Sequence, residues 1–117
     1  MKGIISDKIR LEHIVEAIID INSFIDGKII DDLYGDAMLR SAVRYQLTVI
    51  GEAANNLTDE TRNLFPQIEW RKIIDTRNVI THGYALVDEE IIWHIIKDKL
   101  PELNTAIKSA GIIPTTP

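Results

Sequence analysis

The stretch SDKIRLEHIVEAIIDINSFI, residues 6–25, decides the fold class. Leu11, Ile14, Ile18, Ile21 and Ile25, with Ile4 just ahead of them, recur at spacings of three, four and seven. A helix of 3.6 residues per turn gathers such residues into one stripe, and the stripe needs another helix to cover it. Ser6 or Asp7 is the expected N-cap. Residues 26–32, with Gly27, read as a turn.

The rest of the chain keeps to the same period. A second helix is expected from between Asp31 and Asp36 to about Leu57, burying Val43, Leu47, Ile50, Ala54 and Leu57. Within it Gly51, Ala53 and Ala54 are small enough for a neighbouring backbone to come close, which offsets the helix-propensity cost of Gly. Thr58–Thr61 opens a short helical segment that Phe65-Pro66 ends. Trp70 to His82 forms the next helix, with Trp70, Ile73, Ile74 and Ile80 inward. Asp88 caps a last helix carrying Ile91, Ile92, Ile95, Ile96, Leu100 and Leu103. Pro101 predicts a kink or restart there, and Gly111 a stop. No period-two alternation or hairpin turn competes with this. The expected architecture is all-α: an up-and-down antiparallel bundle of four to five helices. It forms one domain over residues 1–110, with a flexible tail over 111–117.

The 117 residues suffice for one real core, and the chain has no cysteine. Disulfides, thiol nucleophiles and cysteine zinc sites are thereby excluded. The net charge of −5 argues against a broadly basic nucleic-acid binder but leaves room for a local cationic site. No apolar run approaches the ~18–20 residues that span a bilayer. Charges return at once after Met1, so no signal peptide is read and a cytoplasmic protein is expected.

The polar functional groups concentrate in RNVITHGY, residues 77–84. Arg77 offers a rigid fork of donors to phosphate oxygens. His82 can move a proton near neutral pH, and Gly83 frees the backbone between the imidazole and the Tyr84 phenol. Helical geometry separates Arg77 from His82 by about 140°. Either the helix unwinds at His82-Gly83 or a second copy of the chain supplies the missing group.

The order Arg77-Asn78-x-x-x-His82-x-Tyr84 resembles the R-x4-H-x-Y motif of HEPN-domain proteins and, more narrowly, of the HepT-like toxins. Ile50–Ala54, Pro66-x-Ile68-x-Trp70, Val87-Asp88 and Ile92-Trp93 are similar to that family too, so the likeness runs from the first helix to Leu103. The resemblance implies a HEPN-like helical bundle that dimerises, with both motifs lining one cleft. It implies a metal-independent endoribonuclease needing no cofactor, and a minimal nucleotidyltransferase antitoxin (MntA-like) that adenylylates the motif tyrosine, here Tyr84. Arg77 and His82 then cut RNA through attack by its own 2′-OH. Asn78 orients the imidazole or bonds a phosphate oxygen, and Tyr84 bonds or stacks on the RNA. A rival reading is a non-catalytic helical module that binds a nucleotidyltransferase or a nucleotide.

Other groups have blander readings. His94 between Glu90 and Asp98, and His13 beside Glu12 and Glu16, read as surface networks rather than metal sites. Trp70 and Trp93 read as packing anchors. Arg40, Arg44, Thr48, Glu52 and Asn55 form a polar stripe. Arg44 and Glu52 either make salt bridges along it or support Arg77 or His82 from beside the cleft.

Overall fold

The computed structural model describes residues 2–82 and 88–112, and for residues 2–5 and 82 the backbone alone. All the regular structure among them is helical. Four long rods carry the fold: α1 (Lys2–Ile25), α3 (Ala37–Asn55), α5 (Trp70–His82) and a composite last rod. That rod is α6 (Glu89–His94), a π-helical turn (Ile95–Lys99) and α7 (Leu100–Ser109). Two short helices, α2 (Ile30–Gly35) and α4 (Asp59–Arg62), fill the corners.

Helix α3 lies between α1 and α5. Asp20 of α1 faces Gln46 of α3, while Asp7 faces Thr58 just beyond it, so α1 and α3 run antiparallel. The expected stripes meet in one core: Leu11, Ile14, Ile18 and Ile21 of α1, Val43, Leu47, Ile50 and Ala54 of α3, and Ile92, Ile96, Leu100, Leu103 and Ile107 of the last rod. Trp70 is buried, stands edge-on to Phe65 with ring centroids 6.0 Å apart, and donates its Nε1–H to the Arg62 carbonyl at 3.1 Å. Among the described residues, no helix is long and apolar enough to cross a membrane.

Two local expectations need correction. Helix α1 begins at Lys2, so neither Ser6 nor Asp7 caps it. Asp7 is instead 3% exposed and accepts three hydrogen bonds from across the fold: Thr58 N at 3.1 Å, Thr58 Oγ1 at 2.6 Å and Thr61 Oγ1 at 2.5 Å. Burial pushes its pKa up, but those bonds, helped by the nearby Arg10 charge, outweigh burial and hold it below the ordinary value. Asp7 therefore stabilises the fold above the unfolded pKa of about 3.9, and this contribution is lost as the pH falls through the lower folded value.

The turn expected over 26–32 is shorter, because α2 starts at Ile30. Asp32 caps it by accepting the Ile29 N–H at 2.8 Å. Asp36 then separates α2 from α3 and accepts the Leu39 N–H at 3.1 Å. The restart expected at Pro101 is present: α7 begins at Leu100 with the proline in its first turn. Proline lacks an N–H to donate and its ring crowds the preceding turn; the rod widens into the π turn ahead of it, with Leu100 N–H reaching back to Ile95 O. The buried positions Ile92, Ile96, Leu100, Leu103 and Ile107 run through the rod on one face, and Ile91 is 58% exposed. Gly111 ends α7 with φ +70, a value that suits glycine. The imidazole of His82, Gly83, Tyr84 and the tail beyond Ile112 lie outside the described residues.

Candidate functional site

Helix α5 positions the motif. Its Arg77 faces α3 at Gly51, where the two backbones nearly touch. A Cβ built on Gly51 would stand 2.2 Å from Arg77 Cβ and 3.2 Å from Ile73 O. Glycine here provides close approach, and its small neighbours Ala53 and Ala54 are both buried. The contact fixes where the Arg77 side chain leaves α5.

The guanidinium is held at two corners. Nη2 pairs with Glu52 Oε2 at 2.8 Å, and Nη1 donates to Asn78 Oδ1 at 2.8 Å. Arg77 Nε is buried without a hydrogen-bond partner among the described residues. Each Nη retains one further N–H, so a pair of donors remains for an anion. Glu52 is itself held, since Asn56 Nδ2 donates to its Oε1 at 3.3 Å. This partner was missed in the sequence, although Asn56 lies one turn after Glu52 on α3.

These bonds bear on the 140° problem. Asn78 and His82, four residues apart, share one edge of α5. The Arg77 side chain bends around the helix to Asn78 and so brings its head group to that edge. The helix stays intact through His82, so no unwinding precedes that residue.

Arg44 pairs with Glu89 at the start of α6, across the fold from its own helix. Glu89 is buried, and its second oxygen, Oε2, has no hydrogen-bond partner among the described residues. Among the described residues, Glu52 is the carboxylate paired with Arg77. Arg40 donates to the carbonyls of Leu33 and Tyr34 at 3.2 and 2.5 Å and closes the end of α2. Tyr34 has its pKa raised, by desolvation first and then by Asp88, Glu90 and Glu89. That places α2 beside the acidic start of α6.

His94 Nδ1 pairs with Asp98 at 2.6 Å on an exposed face. Among the described residues, no three His, Asp or Glu side chains converge as a metal site. Trp93 is half-buried with the Lys97 ammonium 5.6 Å from its ring centre. On the other side of α5 lies an apolar groove of about 410 Å³, lined by Ile73, Val79 and Ile80 of α5 and by Ile91 and Ile95 of the last rod.

The sequence is similar to known proteins over most of its length. Residues 10–110 match the ribonuclease HepT-like family. A probable ribonuclease HepT of Thermococcus cleftensis is 35% identical over 99 residues, covering 85% of this chain and 90% of its own length. A candidate RNase of Methanocaldococcus jannaschii is 31% identical over 90 residues, covering 77% and 74%. A second M. jannaschii protein, named as a gamma-glutamylcyclotransferase and candidate RNase, is 33% identical over 100 residues. That match covers 86% of this chain and 45% of the relative, so the chain spans less than half of that protein. No solved structure matches. The all-helical fold, Arg77 braced by Glu52 and Asn78 ahead of His82, and a family match over most of the sequence agree: the chain belongs to the HepT-like ribonuclease family.

Proposed function

We propose that this chain is a metal-independent endoribonuclease and the toxin of a toxin–antitoxin pair. The observation that carries the reading is the Arg77 guanidinium, fixed by Glu52 and Asn78 on the α5 edge that also bears His82. A phosphate there meets preorganised donors, which stabilise charge growing on its oxygens in the transition state. RNA brings its own nucleophile. His82 takes the proton of the 2′-OH as that oxygen bonds to phosphorus. The bond from phosphorus to the 5′-oxygen breaks, and a proton returns to the leaving oxygen. The products are a 2′,3′-cyclic phosphate and a free 5′-hydroxyl.

The test is a single-stranded RNA incubated with the protein in excess EDTA, beside the same strand with one 2′-deoxy residue at the cut. We expect cleavage of the first and none at the substituted position of the second. Cleavage that needs added metal, or that proceeds at the deoxy residue, would sink the mechanism.

We infer two partners. A second copy brings a second Arg77–His82 pair to the cleft, and the exposed apolar Val79 and Ile91, 45% and 58% accessible beside the groove along α5, favour such an association. A minimal nucleotidyltransferase joins the Tyr84 oxygen to the α-phosphate of ATP and releases pyrophosphate. The added bulk and negative charge then repel an RNA phosphate. Native mass spectrometry reads both. We expect twice the chain mass, and one adenylate per chain after incubation with the partner and ATP. A monomer overturns the first inference, and labelling of Tyr84→Phe overturns the second.

A further inference from the structure

The face of α3 that carries Glu52 continues away from Arg77 into a shallow groove of about 580 Å³ between α1 and α3. The volume suits a nucleotide. Its floor is apolar, from Ile9, Val49 and Ala53, and its α1 wall carries Arg10 and His13. Three residues apart on one helix, these two side chains point the same way. Among the described residues, neither has a hydrogen bond or ion pair with another side chain. The nearby Asp7 carboxylate is already engaged by Thr58 and Thr61. Glu52 is the one carboxylate lining the groove, and both its oxygens are occupied, by Arg77 and Asn56. An acidic chain thus keeps the N–H donors of two side chains on one wall, across a single helix from the Arg77 guanidinium.

We infer that this groove is a second phosphate subsite for the RNA strand. Arg10 and His13 hold a backbone phosphate flanking the one on Arg77, and the apolar floor supports the adjoining ribose or base. The Thr48 hydroxyl lines the same wall as Glu52; its proton goes to the Arg44 carbonyl at 3.0 Å, so it has only lone pairs to offer a sugar hydroxyl. The inference rests on the ribonuclease reading and assigns to its substrate a path: over α3 at Glu52, from α5 toward α1. It follows that the enzyme prefers a single strand, because a path across one helix needs a flexible backbone.

The test is fluorescence-anisotropy binding of a 2′-O-methyl single-stranded RNA, which carries the same phosphates but resists cleavage, as a function of salt. Cleavage of the all-ribose strand is followed in parallel. We expect Arg10→Ala to weaken binding by roughly tenfold at low salt and to lower the slope of log K against log salt by about 0.7, the value for one phosphate contact on a single strand. Arg10→Lys restores most of that slope, and His13→Gln, a second variant outside the core, weakens binding in the same direction. Wild-type affinity and slope in Arg10→Ala and His13→Gln, with wild-type RNA cleavage intact, overturn the subsite and leave the ribonuclease reading standing. A wild-type protein that neither binds nor cuts any RNA overturns both.

Discussion

Arg77→Ala lowers RNA cleavage by about two to three orders of magnitude while the helix content stays that of the wild type. The size follows from removing a preorganised donor that faces developing charge, which costs about 10²–10³ in rate. The fold survives because alanine keeps the Cβ that packs on Gly51. The carboxylate left behind, Glu52, is half exposed and still bonded by Asn56, so it is hydrated rather than stranded. Arg77→Lys recovers little. A lysine ammonium is a point charge on a flexible stem and lacks the planar fork that bonds Glu52 and Asn78 together. Cleavage rates under single-turnover conditions, with circular dichroism as the control, check this. A folded Arg77→Ala protein that cuts at the wild-type rate removes Arg77 from the chemistry, and the same result for His82→Ala removes the proton carrier.

The stripes of α1 and α3 were legible because burial by a helix face follows a period of 3.6, which a sequence displays directly. Leu11, Ile14, Ile18 and Ile21 are all fully or almost fully buried as that period demands. Caps at Thr58 and Asp88 were legible for a related reason, since the acceptor and the donor lie within three residues of each other. Asp7 was misread because its partners, Thr58 and Thr61, lie 51 and 54 residues away. An acid near the start of an apolar stripe has the same sequence signature whether it caps its own helix or clamps another. The π turn was half legible. Pro101 announced a disturbance, but only the structure shows that the rod absorbs it over Ile95–Lys99.

At the site, sequence grouped Arg77, Asn78 and His82 by nearness along the chain and named Glu52 among their possible supports. It had no means of choosing Glu52 over Arg44, since both lie on one stripe of α3. The choice follows from the closeness of α3 and α5 at Gly51, which brings the next residue within 2.8 Å of the guanidinium. Arg44, two turns earlier, comes opposite the start of α6 and meets Glu89.

That closeness makes Gly51 the most sensitive backbone position beside the site. Two effects oppose each other in Gly51→Ala. Alanine favours a helix interior over glycine by about 1 kcal/mol. Its Cβ, however, would stand 2.2 Å from Arg77 Cβ and 3.2 Å from the Ile73 carbonyl oxygen. Both Cβ atoms are fixed to their backbones, so no rotamer relieves the overlap and α3 and α5 must separate. Overpacking a close-packed contact costs about 1–3 kcal/mol. The clash here lies at the severe end, so the balance falls on the side of loss, about 1–2 kcal/mol. For a domain of this size that lowers Tm by roughly 4–10 °C. Gly51→Val is worse on both counts, because a β-branched residue gives up much of the propensity gain and adds two methyl groups at the contact. Activity falls further than stability. A shift of about 1 Å in a positioning element costs on the order of 10² in rate, and any separation of α3 from α5 draws Glu52 away from Arg77. Thermal melts and single-turnover cleavage of Gly51→Ala and Gly51→Val check both parts. A Gly51→Ala protein that melts higher than the wild type and cuts as fast means that propensity alone governs this position, and the close approach of α3 to α5 is then not what holds Arg77 in place.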